Sequence, residues 1–101
     1  MNVVKKKTLE AYGECYGDAG SALASWRKIF AKTNFSDINA IRAVFPTADF
    51  VDPFTIFNIK GNKYRLITVI HYRYRRVYIR EFFTHAEYDQ WNKDRKRCKH
   101  K

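Results

Sequence analysis

Between positions 55 and 88 apolar and polar residues alternate in a way that predicts three antiparallel strands followed by the start of a helix. Strands over 55–60 and 63–72 flank Gly61-Asn62, a two-residue hairpin signal whose glycine admits positive φ. A second tight turn, placed at Tyr74-Arg75, leads into a strand over 76–83. With two-residue loops throughout, Asn58 faces Arg65 and Arg80 faces Val69. One face of the sheet then carries Arg65, His71, Tyr78 and Arg80 with Ile56, Ile67 and Val69. The other gathers Phe57, Ile59, Leu66, Ile70, Val77, Ile79 and Phe83, the better core.

Ahead of the sheet the period changes to that of helices. Asn2-Val3-Val4 is a β-prone start suited to an edge strand. Thr8 is placed to cap a helix through about Tyr16, and Asp18 to cap a second with an apolar stripe of Ala22, Leu23, Trp26, Ile29 and Phe30. Trp26 reads as a core anchor of that stripe, with a base-stacking platform as the alternative. Ser36 or Asp37 caps a shorter helix that Pro46 stops, and 46–53 reads as a loop in which Asp49 and Asp52 are solvated turn formers. Thr84-His85-Ala86-Glu87 matches a capping box, opening a last helix through Trp91 that fades into a basic tail over 93–101. The expected class is α+β, one domain over 1–101. A small antiparallel sheet, of three C-terminal strands and a short N-terminal edge strand, packs on N-terminal helices, with a helix at the C-terminus.

Charge changes the picture from fold to partner. Twenty Lys and Arg against ten Asp and Glu give a net +10, an excess that favours an anionic partner, nucleic acid above all. Lys60, Lys63, Arg65, Arg73, Arg75, Arg76 and Arg80 occur between 60 and 80 without one carboxylate. No stretch approaches the ~20 apolar residues of a bilayer span, and the start lacks the apolar run of a signal peptide, so a cytosolic protein is expected. Cys15 and Cys98 are expected as free thiols, and neither they nor His71, His85 and His100 show metal-ligand spacing.

His85 and Tyr88 are three residues apart and project from one side of a helix start that also offers free N–H groups to an anion. Arg65 and Arg80 share a sheet face near that end; a plainer reading has them snorkelling or paired with Glu81 or a loop carboxylate. Together these side chains suit cleavage of RNA by attack of a ribose 2′-oxygen on its own phosphate, with no metal or other cofactor. That reaction needs a base, an acid for the 5′-oxygen and positive charge at the phosphorane. His85, with an ordinary pKa near ~6.5, serves as either acid or base. Tyr88 needs a pKa lowered from ~10, or acts only as proton donor or base stacker. Arg80 and Arg65 meet the phosphorane charge. Lys60, Lys63, Arg73, Arg75, Arg76, Lys96 and Arg97 hold RNA backbone.

The stretches AVFPTAD (43–49), FNIKGNKYRLI (57–67) and YIREFFTHAEYD (78–89) resemble the HigB family of bacterial toxins, part of the RelE-like superfamily of messenger-RNA interferases. The likeness spans 3–91, and Ile79-Arg80-Glu81, Thr84-His85 and Tyr88-Asp89 are its most specific part. It implies a RelE-like fold, cleavage of messenger RNA on the translating ribosome, and inhibition by a HigA-like antitoxin with a helix-turn-helix domain. The superfamily draws on strand arginines and lysines plus a tyrosine or histidine near the last helix; the matching positions are Lys60, Lys63, Arg65, Arg80, His85 and Tyr88. Two rivals are a non-catalytic RNA- or ribosome-binding module and a DNA-binding regulator. The latter is weaker, because the basic residues lie on strands and not on a recognition helix.

Overall fold

The alternation across 54–84 builds the centre of the molecule. In a computed structural model that describes residues 1–98, apart from the side chains of Lys6 and of residues 94–98, β3 (Phe54–Ile59), β4 (Tyr64–His71) and β5 (Arg76–Thr84) form an antiparallel meander. The strand expected at the N-terminus is β1 (Asn2–Val4), and it pairs with β5 in parallel. A fifth strand, β2 (Asp49–Val51), pairs with β3 where a loop was expected. The sheet is therefore mixed, in the order β1-β5-β4-β3-β2. It belongs to an α+β fold whose remaining elements are α1 (Lys6–Cys15), a 3-10 turn (Gly17–Ala19), α2 (Gly20–Lys32), α3 (Ile38–Val44) and α4 (His85–Cys98). No described helix is long and apolar enough to cross a membrane.

Turn chemistry sets the register. Lys63 N donates to Lys60 O at 3.3 Å around Gly61, whose φ is 65°, and Asn58 pairs with Arg65 as expected. The next turn falls one residue earlier than expected, at Arg73-Tyr74, closed by Arg75 N donating to Tyr72 O at 3.2 Å. That slides the strands by two residues, so Tyr78, and not Arg80, pairs with Val69. A slip of two preserves the faces. A bulge then changes them: Thr68 pairs with Ile79 and Ile67 with Glu81, leaving Arg80 as the extra residue. Beyond it Phe82, 6% exposed, points into the helix-side core, while Phe83 turns to the opposite face against Trp91. Phe83 is thus not in the helix-side core expected of it.

Helices α1, α2 and α3 supply the core that covers Phe57, Ile59, Leu66, Val77 and Ile79. Trp26 is 2% exposed and packs against Phe30 and Phe57, which settles it as a core anchor and removes the base-stacking alternative. Asp37 caps α3 by accepting from Ala40 N at 2.9 Å. Thr8 caps nothing; α1 begins at Lys6, behind Lys5 in the left-handed region at φ 70°. The parallel pairing of β1 requires a sharp turn there, and that long-range need overrides the local cap signal. Gly13 and Gly20 lie so close at the α1–α2 contact that a Cβ on Gly13 would meet Gly20 Cα at 3.2 Å. Gly13, which weakens α1 by propensity, thus lets the two helices approach.

Candidate active site

The capping box works as written in the sequence. Thr84 N donates to Glu87 Oε1 at 2.9 Å, and Glu87 N donates to Thr84 Oγ1 at 3.2 Å. This starts α4 at His85, whose own N–H donates to Lys63 O at 3.1 Å, while Thr84 pairs with Tyr64. The first turn of α4 is in this way tied to the β3–β4 turn. His85, Lys60 and Lys63 come to one end of the sheet, all exposed. Asp89, one turn after His85, places Oδ2 at 3.4 Å from His85 Nε2, with both side chains more than half exposed. Asp89 is a site neighbour beyond the residues expected from the sequence, and its i,i+4 spacing from His85 is the local signal for the pair.

Arg65 occupies the face expected of it, but in a different state. It is 9% exposed, covered by α4. Its Nη1 donates to Asn62 O at 3.1 Å and to Tyr64 O at 3.2 Å, and its Nη2 donates to Asn62 Oδ1 at 3.1 Å. The guanidinium lies 5.7 Å from the centre of the Tyr88 ring, within cation–π range. A buried charge must be hydrogen-bonded to be tolerated, and here the turn supplies the acceptors. Arg65 therefore binds the β3–β4 turn to Tyr88, which is half-buried and also contacts Trp91 at 5.9 Å.

Asp18 was expected to be a helix cap. Instead its carboxylate reaches across the fold to Lys63 Nζ and accepts from Tyr64 Oη at 2.7 Å. The hydrogen bond from Lys63, followed by that from Tyr64, holds the Asp18 carboxyl below its ordinary range. The same contact raises the Lys63 ammonium and, as an accepted hydrogen bond, raises the Tyr64 phenol. Lys63 is thus a fixed cation at the site and not a freely swinging one.

The other expected RNA-binding residues divide by position. Arg73, Arg75 and Arg76 sit at the β4–β5 turn, at the far end of β4 from Lys63. That separation is about 23 Å by strand rise. Arg80 lies between the two ends, exposed at the bulge, about 10 Å along β5 from Phe83, the residue opposite Arg65. Lys96 and Arg97 fall on the last turns of α4, which continues to Cys98 where a loose tail was expected from 93; their side chains lie outside the described residues, as does all of 99–101. Among the described residues no three His, Cys, Asp or Glu side chains are grouped so as to hold a metal ion.

Residues 19–91 match the family described as HigB_toxin, RelE-like toxic component of a toxin-antitoxin system. The chain belongs to the HigB family. The mRNA interferase toxin HigB of Escherichia coli (strain K12) is 32% identical over 92 residues, covering 88% of each chain, and the mRNA interferase HigB of Shigella flexneri matches to the same extent. The mRNA interferase HigB of Escherichia coli O6:H1 is 27% identical over 93 residues, covering 89% of this chain and 90% of its own. The matched stretch contains every element from α2 to β5 and the first turns of α4.

Proposed function

We propose that this HigB-family toxin is an endoribonuclease that cuts messenger RNA on the translating ribosome without a metal, and so acts in the cytoplasm. The observation that carries the reading is the capped start of α4, which fixes His85 and Tyr88 beside a cationic turn and leaves His85 open to a substrate. The names of the relatives, mRNA interferases, give the substrate class.

The chemistry assigned to these residues is a transesterification within the RNA. One group takes the 2′-hydroxyl proton as the 2′-oxygen attacks phosphorus. A second gives a proton to the 5′-oxygen as its bond to phosphorus breaks. A 2′,3′-cyclic phosphate and a 5′-hydroxyl result. His85, oriented by Asp89, and Tyr88, oriented by Arg65, are the two proton-moving groups. Arg80 meets the phosphorane charge from the strand, and Arg65 adds fixed positive charge from below. Lys60 and Lys63 hold the flanking backbone. The antitoxin partner is a HigA-like protein with a helix-turn-helix domain, whose acidic surface covers the cationic end or blocks its entry to the ribosome.

The test is cleavage on programmed ribosomes, read by mapping message 5′ ends in buffer with and without a chelator. His85→Ala and Arg80→Ala should each cut the rate at least ~10²-fold, with unfolding temperatures close to wild type, since both positions are exposed. Near wild-type cleavage by both folded variants would put the active site elsewhere. Ribosome binding without any cut message, by the wild type as well, would make the protein a binding module.

A further inference from the structure

The sheet face opposite α1, α2 and α3 carries α4 against β4 and β5. From the β3–β4 turn α4 crosses toward the start of β3, where Trp91 meets Phe54 at 5.3 Å and Phe83 at 5.9 Å. The first half of β5 keeps exposure on this face, at Arg76 and in part at Tyr78. There Tyr78 pairs with Val69 on one side and with Val4 on the other, and all three are half-buried. The ring of His71 stands at 85° to that of Tyr78 with centres 5.2 Å apart. Arg76 and Arg80, two residues to either side of Tyr78, are exposed and have no ion-pair partner among the described residues.

We propose that this quadrant is a track for single-stranded RNA, in which a base stacks on Tyr78, whose ring His71 braces at right angles, while Arg76 and Arg80 take the phosphates before and after it. An aromatic ring on a partly exposed strand offers a π-face that any base can use, and a duplex, whose bases are already stacked on each other, has no face to give it. The Cα atoms of Arg76 and Arg80 are about 13 Å apart by strand rise, a span that two long side chains can narrow onto the phosphates on either side of one base. Arg80 is shared with the proposed cleavage site, so the track leads the strand toward His85 and Tyr88. The identity of the polyanion rests on the nuclease reading; the stacking platform rests on Tyr78 and His71 themselves.

The test is binding of a fluorescent 2′-O-methyl hexaribonucleotide, which lacks the attacking hydroxyl, to the purified chain. Tyr78→Ile should weaken binding by roughly five- to 150-fold, the scale of one stacked base, while Tyr78→Phe and Tyr78→Trp keep it. Arg76→Ala and Arg80→Ala should each lower the slope of log K against log salt by about one. A blunt RNA duplex should show no dependence on Tyr78. Should Tyr78→Ile unfold, His71→Leu, at an exposed position, must weaken binding in its place. Absence of binding by the wild type, or binding that losing either ring leaves unchanged, overturns the track. Tyr78-dependent binding with no message cut on ribosomes sinks the nuclease reading alone, and cleavage with ring-independent binding sinks the track alone.

Discussion

Asp18 shows how one side chain acts at a distance from its own segment. It lies 45 residues before Lys63 and 46 before Tyr64, and it holds both where β4 begins, next to the carbonyl that receives His85 N–H. Its carboxyl sits below the ordinary value of 3.8, so its contribution to stability is fully present above that value and is lost as pH falls through the folded pKa. Asp18→Asn should therefore unfold at a lower temperature than wild type at neutral pH, with the gap closing in acid; a gap that stays constant across a calorimetric pH series would remove Asp18 from the account. Arg65 makes a complementary case, because it is buried. Arg65→Ala leaves the Tyr64 and Asn62 carbonyls without their donor and should cost about 1–3 kcal/mol in urea unfolding, besides slowing cleavage. Arg65→Lys keeps the charge but not the paired donors to Asn62, and should recover only part of either loss. Tyr88→Phe keeps the ring against Arg65 and deletes the hydroxyl. A large fall in cleavage with unchanged unfolding marks Tyr88 as a proton carrier, and unchanged cleavage leaves it a packing partner of Arg65.

Among the elements, α4 does the most to shape the site. Its start is fixed by two reciprocal hydrogen bonds and its body by Trp91 against Phe54 and Phe83. Thr84→Ala removes the side chain that satisfies Glu87 N, and should cost about 1 kcal/mol of stability. Because the same cap sets where His85 leaves the strand, cleavage should fall further than this loss of folded protein explains, as single-turnover rates on saturating ribosomes would show. The β5 bulge has comparable reach. One unpaired residue, Arg80, sends Phe82 into the core and Phe83 to α4, so a single step in register serves both layers.

Across the whole molecule, seven of the twenty Lys and Arg lie between 60 and 80, and these are spread along the sheet and not gathered in one patch. Lys60 and Lys63 mark one end and Arg73, Arg75 and Arg76 the other. Each set, neutralised on its own, should reduce the salt dependence of ribosome association, by about one unit of slope for every phosphate that the set neutralises in the wild type. Only the Lys60 and Lys63 set should also slow cleavage at saturating ribosome concentration, because only it adjoins His85. Equal loss of rate from both sets would mean that the far end takes part in the chemistry.

Features that depend on neighbours along the chain were legible in the sequence alone. The capping box at Thr84 and Glu87, a cap at Ser36 or Asp37, the Gly61-Asn62 turn and the faces of β3 and β4 all arise within a few residues, where hydrogen-bond reach and side-chain alternation leave little choice. The charge excess and the motif spacing likewise pointed to RNA and to the family that the comparison found. Tertiary packing was needed to settle the parallel pairing of β1, the extra strand β2, the bulge at Arg80, the burial of Arg65 beneath α4 and the hold of Asp18 on Lys63. Each joins segments far apart in sequence, or depends on how two layers fit. A local pattern states which residues are compatible with a face or a turn; which distant groups meet there is set by packing the whole chain at once.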